Sequence, residues 1–375
     1  MRVVFTGGGT AGHVLPNIAV IRELRASHDV QALDILYIGS KEGPEKALCG
    51  RYDVPFAVIS TGKLRRYFSM KNFTDPFRVV AGVFQAWRIL RKWKPDVVFS
   101  KGGFVSVPVV LAAAKLHIPI IVHEADVTPG LANRICARFA KVVCVSWDET
   151  VKFFRTGGGK DGNVGEKILF TGMPVRAEIF RGVRDRGLKF LRFEDLKPIL
   201  LVMGGSLGAK SLNSLVWKCL EKLVKYYNVV HLIGAAAEKS LVEFLEKRNS
   251  SYRIFPYLQD ELADVYAATD VVVSRAGGGA IAELCALEKP TVLVPLGTSQ
   301  SRGDQVVNAN ILATARAAEV IVPGKNDGEN FVKLLSDLAR NEKRRELLRS
   351  HMKPFGEKFR RAAAIVAEII LSFRT

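Results

Sequence analysis

The chain has 375 residues, about half of them apolar, which is long for one ordinary core and comfortable for two. Lysine and arginine number 55 against 37 acidic residues, and a formal charge of +18 favours anionic partners such as nucleic acid, acidic lipid or a phosphorylated substrate. The absence of any apolar run of about 18 residues excludes a membrane-spanning helix, and five cysteines without a C-x-x-C pair exclude a disulfide or zinc framework.

In chain order, Val3–Thr6, Ile35–Ile38, Val97–Ser100, Ile118–His123 and Val142–Ser146 read as buried strands. Helical patterns such as Asn17–Ser27 and Val105–Lys115 separate them. The first strand starts almost at the first residue and leaves no room for a signal peptide, so a cytoplasmic protein is expected. The pattern then restarts. Strands at Ile199–Met203, Val229–Ile233, Val271–Ser274 and Thr291–Pro295 enclose helices such as Ser211–Tyr226 and Ala280–Leu287. This alternation predicts two α/β domains, each a doubly wound parallel sheet. Gly172 to Pro198, rich in charge, Gly and Pro, reads as the connection. The expected domains are 1–172 and 173–354, and a helix over about 355–375 would pack back on the first.

Four strands end in glycine clusters that lead into helices: Gly7-Gly8-Gly9-Thr10-Ala11-Gly12-His13, Lys101-Gly102-Gly103, Gly204-Gly205-Ser206-Leu207-Gly208-Ala209, and Arg275-Ala276-Gly277-Gly278-Gly279-Ala280. Unpaired N–H groups and the helix dipole attract phosphate at such places. One such turn can serve packing alone; four in two consecutive domains point to ligand binding. Gly7, Gly9 and Gly12 satisfy G-x-G-x-x-G, yet the second strand ends Tyr37-Ile38-Gly39-Ser40 without the acid that a dinucleotide ribose needs.

Gly8-Gly9-Thr10-Ala11-Gly12-His13-Val14-Leu15-Pro16 resembles the G-G-T-x-G-H-x-x-P opening of the MurG family of glycosyltransferases. The likeness continues through Gly102-Gly103-Phe104-Val105-Ser106, His123-Glu124, Gly130-Leu131-Ala132-Asn133, Gly172-Met173-Pro174-Val175-Arg176, the Gly204–Ala209 turn, Glu283 and Asp304-Gln305. It implies the GT-B fold, two Rossmann-like domains with a cleft between them. It implies transfer of N-acetylglucosamine from UDP-GlcNAc to the MurNAc 4-hydroxyl of lipid I (undecaprenyl-pyrophosphoryl-MurNAc-pentapeptide), with inversion, giving lipid II for peptidoglycan. Another lipid-acceptor glycosyltransferase, or a UDP-GlcNAc epimerase, would use the same fold.

The resemblance further implies roles for matched positions. Arg176 lies near the uracil, a backbone contact falls near Leu258, Ser206 bonds a phosphate, Glu283 holds the ribose hydroxyls, and Asp304 and Gln305 reach the sugar. A carboxylate that accepts two hydrogen bonds suits a vicinal diol. Thr10, Ala11 and Gly12 should face the donor, with Asp126 close by. His13 is the leading candidate for the base, because it stands at a helix start and titrates near neutrality; Glu124 and Asp126 are the alternatives. Lys101, Gly102 and Gly103 are expected to receive the acceptor. The sequence departs from the family at Met173, Asp126 and Asp304, where amides are common. No cluster has metal-ligand spacing, so neither a cofactor nor a divalent metal is required.

Between Ser60 and Ser100 stand nine Lys and Arg against two Asp. Phe77, Val80, Phe84 and Trp87 recur at the spacing of one helix face, beside Arg88 and Arg91. Such a stripe suits either the core or an anionic membrane surface. The expectation is a peripheral protein on the cytoplasmic face of the plasma membrane. Nucleic acid is not expected, since no recognised nucleic-acid module is present.

Overall fold

A computed structural model describes residues 1–27, 32–62, 71–155, 167–205, 208–234, 249–297, 303–322 and 327–374. The chain divides into two compact units, Met1–Arg176 with Lys358–Thr375, and Ala177–Glu357.

The first unit is built on seven strands: β1 (Arg2–Thr6), β2 (Asp34–Gly39), β3 (Phe56–Val58), β4 (Val97–Ser100), β5 (Ile120–Glu124), β6 (Val142–Val145) and β7 (Ile168–Phe170). Their order is β3-β2-β1-β4-β5-β6-β7, and every pairing is parallel. The order reverses between β1 and β4, the position where open parallel sheets bind ligands. The helices are α1 (Ala11–Ala26), α2 (Glu45–Arg51), α3 (Lys71–Trp93), α4 (Ser106–Lys115), α5 (Leu131–Ala137) and α6 (Val151–Arg155). Two cores flank the sheet. One joins Phe5 and Phe99 to Ile18 and Ile21 of α1 and to Val366 and Ile370; the other joins Val98 and Val122 to Leu90, Val109 and Ala137. Phe359 meets Trp147 edge-on at 5.5 Å, so the C-terminal segment is part of this unit's packing.

The second unit holds β8 (Ile199–Met203), β9 (Asn228–Leu232), β10 (Tyr252–Phe255), β11 (Val271–Ser274), β12 (Thr291–Leu293) and β13 (Glu319–Val320), in the order β10-β9-β8-β11-β12-β13 and again all parallel. Its helices are α7 (Arg184–Leu191), α8 (Lys210–Leu223), α9 (Leu262–Ala268), α10 (Gly278–Ala286), α11 (Asp304–Thr314) and α12 (Asp327–Arg340). The last helix, α13 (Glu342–Leu371), is shared between the units. The stretch read from sequence as a bare connection carries a short 3-10 helix, Ala177–Arg181, and then α7. Arg186 ties α7 to Asp264 of α9 at 2.9 Å. All five cysteines are buried and unpaired.

Candidate active site

In the first unit, the turn between β1 and α1 is held from several sides. Tyr37 Oη donates to the Gly7 carbonyl at 2.6 Å, and Asn17 Nδ2 to the Thr6 carbonyl at 3.2 Å. The Gly9 N–H donates to Glu45 Oε1 at 2.8 Å. Glu45 is fully buried and also accepts from Ser40 Oγ at 3.2 Å. Sequence reading missed Glu45, because its partner stands 36 residues away. Thr10 Oγ1 lies 3.0 Å from His13 Nδ1. Thr10, Ala11 and His13 are half-buried and Gly12 is exposed, so the start of α1 is open to a ligand.

The second turn packs against the first. The Gly8 N–H donates to the Gly102 carbonyl at 3.3 Å. Gly103 adopts φ +81°, and a Cβ there would stand 2.4 Å from the Gly8 carbonyl oxygen, so only glycine fits. Lys101 corrects an expectation. It is 1% exposed and its Nζ has no hydrogen-bond partner among the described residues, so it does not present its amine to an acceptor. Burial lowers its pKa to about 8, against the opposing pull of Glu124 and Asp126. His123 is pushed well below its ordinary value by burial and then by Lys101. It is therefore neutral, and its Nε2–H donates to the Gly172 carbonyl at 2.8 Å.

Glu124 ends β5 with both oxygens engaged. Oε1 accepts from the N–H groups of Ala125 (2.8 Å) and Asp126 (3.0 Å); Oε2 accepts from Gly130 N–H (3.1 Å) and Asn133 Nδ2 (2.9 Å). Burial and then the neighbouring Asp126 raise its pKa. As a base it would have to surrender the bonds that shape the loop, so its place is to fix the loop that carries the half-buried Asp126.

The second unit holds most of the expected donor residues. Glu283, on α10, is half-buried, and Tyr266 Oη of α9 donates to its Oε2 at 3.3 Å. Gln305, on α11, accepts the Leu296 N–H on its Oε1 at 3.0 Å, and its amide nitrogen has no hydrogen bond among the described residues. Asp304 is the first residue of α11, after Gly303 at φ +79°. Leu258 is half-buried in the segment after β10. Arg176 is half-buried and ends the Met1–Arg176 segment of the first unit. Ser206 lies outside the described residues. Arg275 was not anticipated as functional. It is 5% exposed at the end of β11, and burial lowers its pKa. Among the described residues no group of three His, Cys, Asp or Glu is arranged to hold a metal.

Residues 3–145 match the glycosyltransferase family 28 N-terminal domain, and residues 199–366 match the family 28 C-terminal domain. A Clostridium perfringens protein named UDP-N-acetylglucosamine--N-acetylmuramyl-(pentapeptide) pyrophosphoryl-undecaprenol N-acetylglucosamine transferase is 44% identical over 343 residues, 92% of this chain and 91% of that one. The chain belongs to the MurG family of glycosyltransferases. The crystal structure of Acinetobacter baumannii MurG superposes with a TM-score of 0.70 at 25% identity, covering 99% of each chain. A Neisseria meningitidis UDP-GlcNAc 2-epimerase shares the fold with a TM-score of 0.68 at 14% identity, covering 99% of this chain and all of that one. The two parallel-sheet domains are thus the Rossmann-like pair of the GT-B fold.

The chain also carries an apolar face on α3. Phe77 is 78% exposed, Val80 69% and Phe84 58%. Trp87 is half-buried, stacks on Phe84 at 5.9 Å, and lies 5.0 Å beneath the Arg91 guanidinium; Arg88 is exposed. The core reading of this stripe fails for Phe77, Val80 and Phe84 and holds for Trp87, which packs against the core that buries Ala86 and Leu90. No described helix is long and apolar enough to cross a membrane.

Proposed function

We propose that this chain transfers N-acetylglucosamine from UDP-GlcNAc to the MurNAc 4-hydroxyl of lipid I, forming lipid II. The observation that carries the reading is the 44% identity, over nearly the whole chain, to a transferase named for that reaction. His13 is the proposed base. The tautomer with hydrogen on Nδ1 donates it to Thr10 Oγ1 and leaves the lone pair on Nε2, ready for the acceptor proton. Removal of that proton accompanies attack of O4 on the anomeric carbon, and UDP leaves from the opposite face, so the configuration inverts. Glu283 takes the ribose diol, and the amide nitrogen of Gln305 takes a sugar oxygen. The amide-to-carboxylate change at Asp126 places an acceptor of hydrogen bonds where relatives of this family often offer an amide.

The exposed Phe77–Phe84 face and its arginines suit the surface of anionic lipid, where a polyprenyl pyrophosphate is anchored. The proposed station is peripheral, on the cytoplasmic leaflet where the UDP-sugar is available. The test is incubation with UDP-GlcNAc and a short-prenyl lipid I analogue. The expected product is the β-linked disaccharide lipid. An α-linked product, or a free epimerised sugar nucleotide, would contradict the assignment.

A further inference from the structure

Arg275 is a buried guanidinium with no counter-ion among the described residues. Its Nη1 donates to the carbonyls of Val294 (2.8 Å) and Pro295 (3.3 Å), just past the end of β12. Its Nη2 donates to Ser211 Oγ at 2.5 Å, in the first turn of α8. Its Nε, also buried, has no partner among the described residues. No carboxylate pairs with it among the described residues, although a buried charge normally has one. The three bonds engage both terminal nitrogens of the guanidinium, all with neutral partners, and leave its positive charge uncompensated among the described residues.

Its position gives that charge a use. Arg275 stands two residues before Gly277, the cap residue of α10, and grips the start of α8 through Ser211. Both helices follow glycine clusters, and the first N–H groups of a helix favour phosphate. We propose that Arg275 is a positioning residue for the donor diphosphate: it braces the α8 and α10 turns against β12, and its unpaired charge is answered by the diphosphate. The charge acts from beneath the turns in a low-dielectric interior, where it is poorly screened. As the sugar–oxygen bond breaks, negative charge grows on the departing UDP, and a fixed cation stabilises that state more than the ground state. This inference rests on the reading that the donor diphosphate sits at these two turns.

The test compares binding of UDP and of uridine by calorimetry. The wild type should prefer UDP clearly. In Arg275→Gln, UDP affinity should fall at least about tenfold while uridine affinity stays within about twofold, since only the diphosphate meets the charge. Arg275→Lys, which keeps the charge, should retain UDP affinity within about threefold. Equal losses of UDP and uridine in Arg275→Gln, or no loss of either, would overturn the inference. A wild type with no preference for UDP would overturn the diphosphate reading itself, a distinct result. Where Arg275→Gln binds neither ligand for want of folding, the wild type decides. Its UDP-to-uridine preference should fall less than about threefold between about 0.05 and 0.5 M salt; a fall of about tenfold would place the counter-charge on the exposed surface instead.

Discussion

Thr10 Oγ1 and His13 Nδ1 face each other at 3.0 Å across the first turn of α1, so the hydroxyl holds the imidazole by its Nδ1 edge. His13→Ala is expected to lower kcat by about 10² to 10⁴ and to leave donor KM within a few-fold. Thr10→Val should lower kcat less, about tenfold, and shift the pH–rate profile, because the imidazole loses the hydrogen bond that holds its Nδ1 edge. Steady-state kinetics across pH distinguish these outcomes; comparable turnover in His13→Ala would remove it as the base.

Tyr266 is buried and holds Glu283 Oε2 at 3.3 Å. In Tyr266→Phe the carboxylate keeps its charge and loses its brace. Preference for UDP-GlcNAc over its 2′-deoxyribose analogue should fall about fivefold, mostly through KM. An unchanged preference would show that Glu283 needs no support from α9.

Lys101 gives a pH signature. Its pKa is about 8 in the fold against an ordinary value of 10.5. Below about pH 8 both folded and unfolded chains carry the proton, and the full cost of burying the charge is present. Between pH 8 and 10.5 the unfolded chain binds more protons, so stability from this group rises with pH. Lys101→Met should therefore stabilise the protein at neutral pH by on the order of 3 kcal/mol. That advantage should shrink as pH climbs through this window. Denaturant unfolding at several pH values reads it directly; a destabilised variant would show that the amine has a partner of value.

Glu45→Ala should destabilise the first unit by about 2 to 4 kcal/mol, since it leaves the Gly9 N–H and Ser40 hydroxyl unpaired and opens a cavity. Glu45→Gln, which still accepts, should recover most of the loss. Equal melting of both variants would contradict this.

Phe77→Ser with Phe84→Ser should cut flotation with anionic vesicles at least about tenfold, because each ring contributes roughly 1.5 to 3 kcal/mol when buried. The melting temperature should not fall, since both rings already face solvent. Unchanged flotation would remove this face as the membrane contact.

The central strands were legible in the sequence because they are continuous apolar runs buried on both faces; Val97–Ser100 and Val271–Ser274 match to the residue. The edge strands β3, β7, β10 and β13 were not, being only two to four residues long, with Arg253 and Glu319 interrupting the apolar pattern in β10 and β13. The orientation of α3 was ambiguous because apolar residues lie on more than one of its faces. What decides it is Gly82, where a Cβ would stand 2.0 Å from the Ser60 carbonyl oxygen. That face alone can pack closely, and Phe77, Val80 and Phe84 are turned outward. Glycine motifs marked the turns, yet not what braces them. Glu45 and Arg275 act on partners distant in sequence, and Lys101 looked like a phosphate ligand until its burial was seen.

The most direct measurement is UDP release from UDP-GlcNAc with and without a short-prenyl lipid I analogue. Release that depends on the acceptor, with one disaccharide lipid formed for each UDP, is the predicted result. Equal consumption of UDP-GlcNAc without the acceptor would contradict transfer to lipid I and favour the epimerase chemistry found on the same fold.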